Sequence, residues 1–195
     1  AGWDPYVGTM DEAGMVFEAI WTPAEYTVTW VVDGEIYDAF DIIYEGEMEI
    51  PSDPDVTGYE FLGWSEDENA TEAGTVAATM PADDVTYYAV LKVKQYTISF
   101  TETGDSEIDA ITQDYGSEIV APADPVLKGY TFNGWLDAEG NKTSVPATMP
   151  AEDVVLKADW VINEYTVTWI FDNGSENQVD TYDYNETIVA PADPT

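Results

Sequence analysis

Cysteine, histidine and arginine are all missing from this chain of 195 residues, and its cationic residues number only five, all lysine. Without cysteine there are no disulfides and no thiolate metal sites. Without histidine, imidazole-dependent triads are excluded. Five cations against 40 carboxylates leave a formal net charge of −35. Such a chain cannot displace counterions from phosphates, which excludes nucleic acid as a partner. Direct contact with an anionic membrane face is excluded on the same ground. No apolar run reaches 18 residues and no signal-peptide pattern is present. The chain opens on Ala1, which leaves room for a signal or anchor removed from this segment or lying outside it.

What is present points to a folded body. Hydrophobic residues make up 45% and aromatics 13%, too much apolar surface for a disordered acidic tail. The excess of carboxylates then belongs on a hydrated, self-repelling exterior.

The chain also repeats itself. YTVTW at 26–30 returns as YTISF at 96–100 and as YTVTW at 165–169. IPSDP at 50–54 returns as APADP at 121–125 and 190–194, and TMPADDV at 79–85 returns as TMPAEDV at 148–154. A weaker echo lies at Thr9-Met10-Asp11-Glu12. A period of about 70 residues marks a tandem repeat protein. The boundaries that follow are 25–93 and 94–162 for two full units. Residues 1–24 form the closing half of a truncated unit, and 163–195 the opening half of another. Half a core cannot bury itself. The ends are therefore expected either to be cut from a longer array or to be completed head-to-tail by a neighbouring copy. Both expectations give an elongated rod.

Within each unit the first strand alternates. Tyr26, Val28, Trp30 and Val32 share one face against Thr27 and Thr29, the pattern of a half-buried antiparallel strand. Asp33-Gly34, Asn173-Gly174 and, less cleanly, Gly104-Asp105 predict tight hairpin turns. Second strands are expected over 36–43, 108–113 and 179–182. The P-x-x-P elements cannot lie inside a sheet and are expected to open a turn or a single helical turn. Closing strands are expected at 85–91 and 154–160.

The phrases GYEFLGW at 58–64 and GYTFNGW at 129–135 carry no reactive group. Tyr59, Phe61, Gly63 and Trp64, with Tyr130, Phe132, Gly134 and Trp135, are read as a core-forming device. A unit this small depends on large aromatic side chains to bury enough area. The alternative is an exposed aromatic platform for sugar. Downstream of the tryptophans the spacing to Met80 and Met149 differs between copies. The 65–79 and 136–148 segments are thus surface loops suited to unit-specific contacts.

Weaker signals remain. Asn69, Asn141, Asn173 and Asn185 open N-x-[ST] sequons and are candidate glycosylation sites. Asp83, Asp84, Glu152 and Asp153 recur in register, as a solvated acidic pair or as weak screening sites for a divalent cation. No cofactor is implied. Paired carboxylates could in principle hydrolyse glycosides, but a repetitive chain lacks the one-off constellation catalysis needs, so no enzyme is expected.

YTVTW, P-x-x-P…GYEFLGW and TMPADDVTYYAVL, with their counterparts YTISF, PADPVLKGYTFNGW and TMPAEDVVLKADW, resemble the Listeria–Bacteroides repeat, or InlB B-repeat. The resemblance covers essentially the whole chain and implies small β-grasp-like domains in tandem on secreted or cell-wall-attached bacterial proteins. Such arrays serve as stalks, spacers or adhesin segments without enzymatic activity. The fold class expected is therefore mainly β (small α+β), tandem β-grasp-like repeats. The function expected is a stalk or filament-forming segment at the bacterial cell surface, with adjacent repeats as partners and head-to-tail self-association. The alternative is an adhesin-type module whose variable loops contact a host protein or a glycan.

Overall fold

The computed structural model describes residues 2–3 and 19–192. The Thr9–Glu12 echo, most of the closing half assigned to 1–24, and the last three residues lie outside them. Two compact units divide the chain, one over 1–92 and one over 93–195.

In the first unit, β1 (Gly2–Trp3) pairs antiparallel with β2 (Ala19–Ile20). The main sheet holds β3 (Glu25–Val32), β4 (Glu35–Ile43), β5 (Tyr59–Ser65) and β6 (Val85–Val93) in the order β4-β3-β6-β5. β3 and β4 form the hairpin that Asp33-Gly34 predicts, both residues taking positive φ (50° and 79°). β6 then runs parallel to β3, in register from Val28 opposite Val85 to Val31 opposite Tyr88.

The second unit repeats the plan with β7 (Gln95–Thr101), β8 (Ile111–Asp114), β9 (Tyr130–Leu136), β10 (Lys142–Thr143) and β11 (Val154–Ile162). Their order is β10-β9-β11-β7-β8, again with the opening and closing strands parallel, Ile98 opposite Val154. A further hairpin, β12 (Glu164–Trp169) with β13 (Gln178–Asp183), stands as its own two-stranded sheet.

Each four- or five-stranded sheet has its own core. Val28, Trp30, Ile42, Met48, Trp64, Met80 and Tyr87 make the first. Ile98, Ile119, Trp135, Met149, Leu156 and Ala158 make the second. The T-M-P segments complete each core from the side. Met80 N–H donates to the Gly46 carbonyl and Met48 N–H to that of Ala78 (2.8 and 3.0 Å). Met149 and Ile119 repeat the pattern with Ser117 and Ala147 (both 2.9 Å).

The fold is all-β, with three departures from the sequence reading. No helical turn opens at the P-x-x-P elements: 51–56 and 121–125 are irregular, and no helix occurs among the described residues. Gly104-Asp105 is no tight hairpin. Gly104 bridges Val126 in parallel and Asp105 N–H bonds the Val126 carbonyl (2.8 Å), so the second strand starts at Ile111 and not at 108. Asn173-Gly174 sits mid-way in a longer connection between Trp169 and Gln178. A two-residue turn needs strands that stay paired to its edge, and only β3–β4 do so.

Candidate functional site

The repeated aromatic phrase lies on β5 and β9. Trp64 and Trp135 are buried, at 4% and 6% exposure. Phe61 and Phe132 meet them edge-on at 5.2 Å in both copies. Tyr59 is half-buried, while Tyr130 is exposed. Gly58 and Gly129 share φ of 81°, a left-handed turn into the strand, and Gly63 takes φ of 136° where a Cβ would strike Ala73 at 2.7 Å. The tryptophans are packing groups.

The paired acids before each closing strand have a structural use that sequence reasoning missed. Asp84 Oδ1 accepts from the Thr27 backbone N–H, and Asp153 Oδ1 from that of Thr97, both at 2.8 Å. Each ties the start of the closing strand to the opening strand beside it. The signal was legible as an acid placed identically before both strands. Asp83 Oδ1 caps its neighbour Asp84 N–H at 3.0 Å, and Glu152 is exposed. Among the described residues no group of three or more acids is placed to hold a metal ion.

All four sequon asparagines are exposed. Asn69 and Asn141 lie in the variable loops, Asn173 in the β12–β13 connection, and Asn185 after β13 with φ of 63°. Asn141 is engaged: its backbone N–H bonds Asp137 Oδ1 at 2.8 Å and its side-chain amide bonds Oδ2 at 3.2 Å. These donors, led by the Asn141 N–H, hold the Asp137 carboxyl below its ordinary value. Lys142, beside it in sequence, pairs with Asp159 at 2.5 Å and also donates to the Asn133 carbonyl. Lys142 and then Asn133 depress the Asp159 pKa. Burial works the other way on Tyr87, raising its phenol pKa, while its oxygen accepts from Ala77 N–H at 3.0 Å.

The last feature is a joint inside the second unit, between β11 and the β12–β13 hairpin. Asn163 N–H donates to the Gly129 carbonyl, and the Asn163 carbonyl accepts from Tyr184 N–H, both at 2.9 Å. The Thr131 hydroxyl donates to Asn163 Oδ1 at 2.6 Å. The Tyr184 ring lies 6.3 Å from those of both Tyr130 and Tyr165. It rests so closely on Gly129 that a Cβ there would come within 2.0 Å of it.

Two parallel-centred sheets of one plan, each with its own aromatic core and each followed by a single-residue link to the next strand, define a tandem all-β repeat protein. The Listeria-Bacteroides repeat domain matches residues 26–90 and again 96–159, and this chain belongs to that family. Similarity also extends to individual proteins. Internalin H of Listeria monocytogenes is 35% identical over 147 residues, covering 71% of this chain and 26% of that protein. Two proteins of Evansella cellulosilytica that carry membrane-protein names are 32% and 30% identical, over 92% and 90% of this chain. The matches take in 28% and 22% of their lengths, so this chain spans about a quarter of the relatives it matches.

Proposed function

We propose that this chain is a stalk segment of an extracellular bacterial surface protein, built from two full repeats and parts of two more, 1–24 and 163–195. The names of its relatives support a surface location in general terms. The observation that carries the reading is the Asn163 joint. Three hydrogen bonds and the edge-on and tilted contacts of the Tyr184 ring fix the next hairpin against the repeat before it, and a spacer needs that rigidity at every link. Charge adds to it, because like-charged neighbours repel and keep an array extended at low salt.

Gly129→Ala tests the joint. The added methyl must displace the Tyr184 ring, and alanine at φ of 81° is strained. Hydrogen exchange at Tyr184 and Asn163 should rise by an order of magnitude or more, with the β9–β11 amides unchanged. Unchanged exchange at Tyr184 would remove the support for a rigid stalk.

The β12–β13 hairpin supports a second reading, in which copies assemble head-to-tail. Tyr165 and Val179 are exposed at 51% and 60%, and β12 lacks, among the described residues, the parallel partner that β3 and β7 have. Sedimentation over a concentration series tests this, with open-ended oligomers expected and a monomer at all concentrations against it. A third reading gives the 65–79 and 136–148 loops a host-protein or glycan ligand. Deleting 65–79 with folding intact should abolish such binding.

A further inference from the structure

The two full repeats differ at one corner, where the connection after the opening strand meets the closing strand. In the second repeat that corner is shut from two sides. Trp160 sends its indole N–H to the Glu102 carbonyl at 2.8 Å and sets its ring edge-on to Phe132 at 5.6 Å. Leu127 presses on Gly104, where a Cβ would meet it at 2.7 Å, and Val126 bridges the same glycine. In the first repeat both closures are absent. Leu91 stands at the place of Trp160 in the closing strand, and Gly34 has nothing within 4 Å of a Cβ built on it.

A cleft of about 350 Å³ results, a size within the range of small-molecule sites. Val31 and Leu91 give it apolar ground, Tyr59 and Tyr88 line it, and Asp33 and Glu68 bring carboxylates from the turn and the variable loop. All of them belong to the first unit.

We infer that this cleft binds one uncharged pyranose ring of a glycan. The shape argument comes from the second repeat, which fills the same corner with a flat ring whose N–H bonds backbone. A pyranose has a flat C–H face for aromatic contact and hydroxyl donors at its rim, and the two carboxylates accept from such donors. Acidic sugars are repelled by those carboxylates and by the charge of the whole chain. The inference rests on the glycan-binding reading of the 65–79 loop and not on the stalk reading.

The test uses the whole chain on an array of neutral and acidic oligosaccharides, beside Leu91→Trp, which moves the plug of the second repeat into the first. Retention of neutral glycans, weakened about tenfold or more in Leu91→Trp with the circular dichroism unchanged, supports the cleft. Glu68→Gln, on an exposed loop, should weaken it as well and decides the matter if Leu91→Trp does not fold. Amide shifts confined to Val31, Gly34 and Leu91 on titration place the sugar. No retained glycan, or retention of acidic ones only, overturns the inference. Binding that survives both variants but is lost on deleting 65–79 keeps a loop-binding module and overturns the cleft. Capture of aromatic-rich peptides in place of glycans assigns the corner to a protein segment and also overturns it.

Discussion

Trp30 and Trp169 occupy the same letter of the same phrase, YTVTW, and live in different surroundings. Trp30 has no exposed surface. It lies 4.8 Å from Trp64 and 4.9 Å from Tyr87, centroid to centroid, with a parallel strand beside its own. Trp169 is half-buried on a hairpin that, among the described residues, has no such strand beside it. The difference reaches the polar atom. The indole N–H of Trp30 is buried with no hydrogen-bond partner among the described residues, whereas that of Trp169 donates to Asp180 at 2.8 Å. Opposite the preceding valines, the first hairpin carries Phe40 where the last carries Asp180. An identical motif is thus fully buried in one place and half-buried in another, and the fully buried copy is the one with a parallel strand beside it.

The largest break in that comparison comes from the core side. Trp64→Ala should destabilise the first unit by about 3–5 kcal/mol, the usual cost of emptying a buried aromatic site. Trp169→Ala should cost that transition under about 1 kcal/mol, since Trp169 belongs to the other unit and not to the first core. Urea melts followed by near-ultraviolet dichroism check both. Equal losses would mean that the hairpin and the first core fold as one.

A smaller effect is expected where the closing strand is tied in. Asp84→Ala and Asp153→Ala each remove one carboxylate bond to a strand N–H, at 2.8 Å, and should cost about 1–2 kcal/mol in their own unit only. If neither shifts its melting midpoint, the acids before the closing strands are solvated ornaments of the charge pattern.

These bonds also mark where sequence reading stopped. The alternation of Tyr26, Val28 and Trp30 placed β3 and its buried face, and Trp64 and Trp135 were readable as core because each copy spells the same aromatic phrase. Parallel pairing of the first and last strands was not readable. Periodicity tells which face of a strand is buried and nothing of its neighbour. Asn-Gly at 173–174 misled for a related reason: the dipeptide permits a tight turn, but partner strands decide where pairing ends. The Asn163 joint was invisible, because the sequence shows where one repeat gives way to the next and not which backbone groups bond there.

Trp30→Phe sharpens the comparison from the other direction. The second repeat already has Phe100 at this position, 5.1 Å from Trp135. Phenylalanine gives up part of the ring's contact, and it also removes an unpartnered buried N–H whose desolvation costs about 1–3 kcal/mol. The two nearly cancel, so the net change should lie within about 1 kcal/mol. A loss as large as that of Trp64→Ala would show that the indole, and not the space it fills, sustains the first core.

The smallest effect sits on the surface and separates the two full repeats by charge. Asp159 and Lys142 pair in the second, whereas Val90, buried, takes the place of Asp159 in the first. Both Asp137 and Asp159 have folded pKa values below the ordinary 3.8. A depressed carboxyl contributes fully above its unfolded value and loses that contribution as pH falls through the folded one, so the window lies at and below 3.8. Carboxyl resonances should give midpoints under 3.8 for both groups. Lys142→Ala should raise that of Asp159, whose largest cause is the Lys142 bond, and leave Asp137 to its backbone donors. An unmoved Asp159 would mean that the ion pair is absent in solution.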